Sequence, residues 1–529
     1  MKYVAKSLLV IAMLCSIVPA MAASSDTVSG KSFFLPAANN GTNFRSLGWN
    51  MGMHKFDMMD DYYGCFKIQS EYGENFKRDE IGKYLLMNGT NSAVWGPANL
   101  AGNTNTTDVS NINFLLTTSH LSTAVFKPKA QDYVTNFGLF VGLDPLLEGL
   151  YFQANVPLQH SRWEVEITET PTSTTGNLFN DGEVEQAIVQ QPTSPYDSVT
   201  AAFKGDATVG DMTNVWRFGR IDGKVSDTKV ADIHLTLGYD FVNKEHMNFG
   251  FGVHGIIGAG GKSKAERVFE PVFGHDGRHG IGGELHGSMC LWDKDDSHKL
   301  MASFNGSAAH LFANEQVRSY DLNNLSTPAG QNVWSRYLLV KVMNPTTFDY
   351  TGELDSMINV GTRTAKIGID VVYDANLSFC YMMDNWSFDL GYTVNGHSKE
   401  KHKEFVTSGD NATDSAIAAD TFTLYDITNA NVDNANGAAT QGINGNNVGN
   451  ASATLAAGSA LFITDADLNT DSVLANSALN HGINAGVNYS WMDSDWMPSV
   501  GFFGSVNFSG NDNNSFDRWS VGVQGNVSF

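Results

Sequence analysis

The sequence is short of basic residues and of long apolar runs, and each shortage excludes a class of protein. Its 529 residues include 33 Lys and Arg against 56 Asp and Glu, a formal net charge of −23, so nucleic acid is not expected as a partner. Beyond the first 22 residues, no apolar run approaches the roughly 18 residues of a transmembrane helix. Charged residues make up only 17% of the chain, below the roughly 25% usual for soluble domains.

Cysteine is also scarce. Four cysteines in a chain of this length exclude a disulfide-stapled scaffold. Cys15 lies in the N-terminal leader, and the other three, Cys65, Cys290 and Cys380, are odd in number and lack CxxC spacing. We expect them to be small packed side chains. What the chain has instead is 52 glycines and 11% aromatic residues, a composition that neither a helical nor a disordered protein would carry.

Residues 1–22 have the pattern of a secretory signal peptide. Lys2 and Lys6 precede an apolar run, and the segment ends on Ala20-Met21-Ala22. Removing two lysines and no acids changes the net charge from −23 to about −25. We therefore expect a single exported domain over 23–529 that either is soluble or crosses a membrane as strands.

The pattern of the last strand favours a protein that crosses a membrane as strands. Trp519, Val521, Val523 and Val527 alternate with small polar residues up to the terminal Phe529, a strict period of two. One face is apolar, and the other is small, polar and uncharged. This pattern is typical of a strand with lipid on one side and a wet interior on the other.

The same alternation recurs upstream in pairs of strands joined by short polar turns. The pairs are 49–56 with 62–72, 137–143 with 149–156, 233–239 with 249–253, 281–291 with 300–304, 365–383 with 386–394, and 483–491 with 496–508. Long polar stretches separate them, roughly at 168–228, 260–278, 313–362 and 397–478. Aromatic residues gather at the turn ends, as a membrane-interface girdle would place them: Trp292, Tyr381, Trp386, Trp491 and Trp496.

The alternative to a membrane barrel is a soluble β-sandwich, whose strands also alternate. Sandwich strands average about 5–6 residues, whereas these run to about 10–14, enough to cross a bilayer at a tilt. We therefore predict an all-β, transmembrane, antiparallel up-and-down barrel with short periplasmic turns and long extracellular loops. The pairs and the last strand give thirteen strands. Such barrels have an even number of strands, and a further strand at residues 31–44 would bring the total to 14. We therefore expect about 14 strands, within a range of 12 to 16.

With these features, the chain resembles Gram-negative outer-membrane β-barrel proteins of the porin type. The residues that carry the resemblance are the leader, the paired alternating strands and the terminal aromatic of GNVSF. It implies that Phe529 is part of the signal read by the barrel-assembly machinery. It also implies outer-membrane lipid as surroundings, and it identifies no substrate-specific subfamily.

If the apolar positions face lipid, the residues between them face the lumen. The charged and imidazole side chains predicted to line the pore are Asp232, His234, Asp240, His254, Glu284, His286, Lys366, Asp370 and Asp389. Charges on strands are costly toward lipid, which favours this placement, and the alternative for each is a structural cross-strand hydrogen bond. The set is more acidic than basic, so it predicts a weakly cation-leaning pore.

Other chemistry is less well supported by spacing. In IIGAGGKS the phosphate-loop glycine position holds Ile256. Asp465, Asp467 and Asp471 alternate like the start of an EF-hand loop, but neither its glycine nor its glutamate follows, and a weak external calcium site stays an open alternative. A metal site is a second, less favoured alternative, and its ligands would be His275, His279, Glu284 and His286.

No GxSxG is present and no Ser and His are spaced so as to commit them to each other, so we predict no enzyme and no cofactor or bound metal. The predicted function is a porin-like outer-membrane channel for passive diffusion of small hydrophilic solutes or ions. The alternative is a surface-exposed structural or adhesive barrel without an open pore, and a barrel enzyme with its site built across strands is a third, less favoured alternative. The sequence leaves homo-oligomerisation open.

Overall fold

The structure is a computed structural model, and it describes residues 63–86, 90–96, 108–117, 120–173, 194–209, 212–244, 246–294, 298–323, 334–348, 350–409, 412–424, 462–494, 496–509 and 517–529. Twelve long strands form its main body. We label them β1 (Tyr63–Asn75), β2 (Leu121–Gly142), β3 (Leu150–Ser173), β4 (Asp232–Lys244), β5 (Met247–Gly258), β6 (Gly280–Lys294), β7 (His298–Ser319), β8 (Thr362–Met383), β9 (Trp386–His397), β10 (Ala478–Ser490), β11 (Ser499–Ser509) and β12 (Arg518–Ser528).

Each strand pairs antiparallel with its neighbours in the chain, and the circuit closes between the first and the last strand. At the seam, Glu71 of β1 stands opposite Gly522 of β12. The terminal residue completes this seam, because the amide of Phe529 donates to the carbonyl of Gly64 at 3.0 Å and the amide of Gly64 donates to the carbonyl of Phe529 at 2.8 Å. A closed circuit has no free edge.

The predicted all-β antiparallel barrel is therefore confirmed, whereas the expected count of about 14 strands is not. Twelve strands close the circuit within the described residues. The two segments that were to supply further strands, 31–44 and 49–56, lie outside the described residues, as do residues 1–22. The five other predicted hairpins all appear, and most of their strands are longer than the alternation indicated.

The two ends of the barrel differ in their connections. Short connections follow β2, β4, β6, β8 and β10 at one end, which we call the turn end. One two-residue connection is Asp384-Asn385, where Asp384 takes a left-handed conformation with φ 49°, tolerated by Asp better than by most residues. The connections at the other end, which we call the loop end, are long except between β11 and β12.

The loop-end connections contain structure of their own. Helices span Arg78–Leu85, Val199–Ala202 and Met357–Val360, and 3₁₀ turns span Asn111–Phe114, Ser335–Tyr337, Ala412–Asp414, Asp465–Asp467 and Thr470–Val473. Short strands span Ser92–Gly96, Val109–Ser110, Lys224–Val230, Asp321–Leu322, Leu339–Met343, Tyr350–Ser356, Glu400–Phe405, Phe422–Leu424 and Leu468–Asn469. In the described part of the chain, no helix combines the length and the apolar character needed to cross a membrane.

Four of these connections pack together into a cap with a large aromatic core. Trp95, Phe114, Phe203, Trp216 and Tyr337 are all buried within it. The ring centroids of Trp216 and Tyr337 lie 4.8 Å apart, and those of Phe114 and Tyr337 lie 5.1 Å apart. Phe203, Trp216 and Tyr337 come from two of the stretches expected as loops, and Trp95 and Phe114 come from the connection between β1 and β2. Separate connections therefore fold jointly where they are described. Residues 425–461, the Asn- and Ala-rich part of the last stretch, lie outside the described residues.

Deleting Phe529 should reduce the amount of folded barrel, because the deletion removes two backbone hydrogen bonds at the closing seam as well as the ring that contacts Trp496. We expect less protein with the heat-modifiable electrophoretic mobility of a folded barrel. Phe529→Tyr should keep the folded yield, and Phe388→Ala, which truncates an exposed ring on β9, away from the seam, serves as the matched control. Full folded yield after the deletion would show that the seam does not need its last residue.

Candidate functional site

The inner wall of the barrel is the candidate functional site, because its polar character contrasts with the outer face. On the outer face Leu237, Val253 and Phe502 are 54%, 59% and 64% exposed. The alternate residues point inward and are mostly small, polar or charged. Apolar side chains outside and polar side chains inside are what a lipid-exposed barrel requires.

Seven of the nine residues predicted to line the pore lie on this inner wall. They are buried members of β4, β5, β6 and β9: Asp232, His234, Asp240, His254, Glu284, His286 and Asp389. The wall therefore brings six of them together on three adjacent strands, with Asp389 farther around the barrel.

Lys366 and Asp370 lie on the opposite side of the wall from the one expected. Lys366 is 45% exposed and its Nζ lies 2.6 Å from Glu404 Oε1, and Asp370 is 43% exposed and paired with Lys401. The reason is a register shift between β7 and β8 next to Leu311. On β8, even-numbered residues face inward on one side of the shift and odd-numbered residues face inward on the other. Ile367 and Ile369 are therefore the buried residues there.

Toward the loop end, the inner wall of β4 to β6 carries a hydrogen-bonded group of imidazoles and a carboxylate. His234 Nδ1 lies 3.1 Å from His254 Nε2, and the two rings stack at 5.2 Å. Thr236 Oγ1 donates to Glu284 Oε2 at 2.9 Å and contacts His254 Nδ1 at 3.0 Å. These side-chain hydrogen bonds therefore link three adjacent strands.

Toward the turn end, a second group connects β3, β4 and β6. His286 Nε2 lies 2.8 Å from Asp240 Oδ1, and His286 Nδ1 lies 3.2 Å from the hydroxyl of Tyr151. These contacts pass over β5, where Gly250 leaves the space: a Cβ there would collide with Asp240 and lie 2.6 Å from His286 Cε1. The contact between His286 and Asp240 therefore requires glycine at position 250.

Two further inward networks were not predicted from the sequence. Arg518 of β12 lies over Gly73 of β1 and forms ion pairs with Glu71 at 3.7 Å and with Asp132 of β2 at 3.2 Å. Gln159 Nε2 donates to the same Asp132 at 3.1 Å. The period of two that located the other residues also places Glu71 and Arg518 inward, so the alternation in the sequence could have identified them.

The second of these networks is a chain of amides. Gln69 Nε2 donates to Gln524 Oε1 at 2.8 Å, Gln524 donates to Asn488 Oδ1, and Asn488 Nδ2 donates to Asp389 Oδ2 at 2.8 Å. The chain runs from β1 to β9 and crosses β11 at Gly501, where a Cβ would collide with Asn488. Asp389 thus ends a series of donors that all point toward its carboxylate.

At the loop end, a buried ionic cluster joins the connection between β5 and β6 to the wall. Arg278 and Glu400 are both fully buried, and Arg278 Nη2 donates to Glu400 Oε1 at 2.7 Å. Arg318 lies 3.5 Å from the same oxygen and 3.8 Å from Asp276. Burial alone would raise the pKa of Glu400, but Arg318 and Arg278 outweigh it and hold the pKa below its ordinary value. Glu400 therefore stays ionised.

The side chains considered for metal or calcium binding are engaged elsewhere. His275 pairs with Asp232, the amide of Gly258 donates to His279 Nδ1, and Asp465 pairs with Arg363. Asp467 accepts from Thr464. Among the residues that the structure describes, no group of three or more His, Cys, Asp or Glu is arranged to hold a metal ion.

Similarity to known proteins is found among solved structures. No protein-family model and no curated protein sequence matches it. Similar solved structures include an outer-membrane channel from Pseudomonas putida F1, at 9% identity and a TM-score of 0.37, covering 88% of this chain and 95% of that one.

Two other solved structures are a Pseudomonas aeruginosa FadL homologue and the transport unit of the autotransporter AIDA-I from Escherichia coli. The first is 8% identical with a TM-score of 0.25, covering 95% of both chains. The second is 6% identical with a TM-score of 0.27, covering 88% of this chain and 90% of that one. All three TM-scores are below 0.5, so the function proposed below rests on the geometry of the barrel.

Substituting Glu400→Gln should loosen the β5–β6 connection. The change removes the counter-charge of Arg278 and leaves Arg318 with Asp276 alone, 3.8 Å away, and breaking a buried ion pair in this way costs about 3 kcal/mol or more. Hydrogen exchange of the amides in 259–279 should become faster in the variant. The control is Glu404→Gln, which removes an exposed pair with Lys366 and should cost less than about 1 kcal/mol. Equal effects of the two substitutions would contradict a role for the buried cluster.

Proposed function

We propose that this chain is an outer-membrane barrel that forms a channel for small hydrophilic solutes or ions. The observation that carries the proposal is the two-sided wall, with a closed circuit of strands, an apolar outer face and an inner face on which small, polar and charged side chains predominate. A barrel of twelve strands is also wider than the barrels of about eight strands whose interior side chains fill them. Small solutes and ions are accordingly the proposed cargo.

The orientation follows from the two ends. Outer-membrane barrels have short periplasmic turns and longer external loops, so we assign the turn end to the periplasm and the cap to the cell surface. The aromatic residues agree with this assignment: Trp292, Trp386, Trp491 and Trp496 lie at the turn end and are 46%, 45%, 46% and 62% exposed, as a girdle at the membrane interface would be. In this proposal residues 1–22 direct export, and the barrel-assembly machinery reads Phe529.

The charge of the inner wall supports a weak preference for cations. Between the turn end and the cap, Glu71, Asp132, Asp240, Glu284 and Asp389 point inward. Inward basic residues on the adjoining wall are Lys67 of β1 and Arg518 of β12, and Arg518 is already paired with two of the acids. Acidic side chains along a water-filled path raise the local concentration of cations.

The test is conductance in a planar bilayer, with the reversal potential measured under a KCl gradient. Wild-type protein should form channels whose reversal potential shows a preference for potassium. Asp389→Asn should reduce that preference, and Asp370→Asn should leave it unchanged, because Asp370 lies on the outer face in contact with Lys401. Both variants are first checked for folded electrophoretic mobility. Folded protein that does not conduct, or channels that prefer chloride, would overturn the proposal.

The cap favours a second candidate, a surface-exposed structural or adhesive barrel. Its buried aromatic core packs several connections together and gives the loop end a fixed outer surface. The bilayer recording separates the two candidates, because a structural barrel without an open pore would fold fully and remain electrically silent.

A further inference from the structure

We propose that His286 makes the ion selectivity of this channel depend on pH. The inference rests on the proposed function and identifies a residue that determines its specificity. It concerns the inner wall near the turn end, where side chains from β1, β2, β3, β4 and β6 form one continuous belt. The members of this turn-end belt are Tyr63, Phe140, Tyr151, Asp240 and His286.

The belt is built by side chains that lie along the wall over glycines. Tyr63 lies over Gly142, and Tyr151 lies over both Gly238 and Gly252. The rings of Phe140 and Tyr151 stack with centroids 5.5 Å apart. Since a Cβ at any of these glycines would collide with the ring above it or approach it within 3.0 Å, the glycine pattern specifies the belt.

The hydrogen bonds around His286 can accommodate both charge states of the imidazole. In the neutral ring, Nε2–H donates to Asp240 Oδ1 and Nδ1 accepts from the Tyr151 hydroxyl. In the protonated ring both nitrogens are donors, and the hydroxyl, which both donates and accepts, can rotate to receive the second proton. Asp240 has its other oxygen occupied by Asn248 Nδ2 at 2.8 Å. The carboxylate is therefore an acceptor on both sides in either state.

Few other charges face His286. From β4 the facing group is Asp240, and from β3 it is Tyr151. The adjacent strands β5 and β7 present Gly250 and Asn305 in register with it, neither of which titrates. On its own strand the neighbouring inward residue is Glu284. Histidine is the residue type that commonly changes charge between pH 5 and pH 8, and His286 is the histidine of the belt.

Protonation of His286 changes the net charge of the belt. With a neutral ring, the Asp240 carboxylate leaves one negative charge at this level of the lumen. With a protonated ring, the pair is neutral as a whole, and the local attraction for cations weakens. The channel should therefore prefer cations while the ring is neutral and discriminate less once the ring is protonated.

The test compares reversal potentials under one KCl gradient at about pH 7.5 and about pH 5, on either side of the ordinary imidazole pKa. In the wild-type protein the potassium-to-chloride permeability ratio should fall by about twofold or more on acidification. In His286→Gln, which can still donate to Asp240 but cannot titrate, the ratio should stay near its neutral-pH value. His310→Gln is the matched control, because His310 lies exposed on the outer face, and it should keep the full pH response.

Each other outcome has a defined meaning. If Asp240→Asn at neutral pH fails to reproduce the low selectivity of acidified wild type, the belt is not the responsible element. A pH response that survives His286→Gln but disappears in His254→Gln would also overturn the inference, since it would transfer the effect to the other imidazole group. Wild-type channels with pH-independent selectivity refute the inference alone, whereas folded protein without conductance refutes the proposed function.

Discussion

Each strand of this barrel must present one face to an apolar surrounding and the other to a polar interior, while all its backbone groups remain paired. This single constraint accounts for the period of two, because successive side chains of a strand point to opposite faces. It also accounts for the closed circuit, since an open edge would leave unpaired amides and carbonyls in the apolar layer. The terminal hydrogen bonds between Phe529 and Gly64 complete that pairing.

The polar interior creates a second requirement, which the glycines satisfy. Buried carboxylates, imidazoles and amides are costly unless each has a partner, and on adjacent strands the direct neighbours cannot always provide one. Gly73, Gly250 and Gly501 each allow side chains from the strands on either side to meet across them. Polar networks that span three strands or more therefore require glycine at these strand positions, which accounts for part of the high glycine content.

The period of two alone located five hairpins and the inward position of seven candidate residues, because a regular strand has a regular alternation of faces. It failed at Lys366 and Asp370, because a shift of register next to Leu311 exchanges the inward and outward positions of β8. No residue type in the sequence signals such a shift. The cap core was also missed. Trp95, Phe114, Trp216 and Tyr337 are scattered among polar residues in separate segments, and only the closed barrel brings those segments together.

The central claim is that these strands separate an apolar layer from a polar lumen, and a spin-label scan along β4 in reconstituted vesicles tests it most directly. Single nitroxide labels at residues 233 to 239 would be read out by collision with oxygen dissolved in the lipid and with a water-soluble nickel complex. The account predicts high oxygen accessibility at Leu235, Leu237 and Tyr239 and low oxygen accessibility at His234 and Thr236. Accessibility without a period of two, or with the opposite phase, would contradict it.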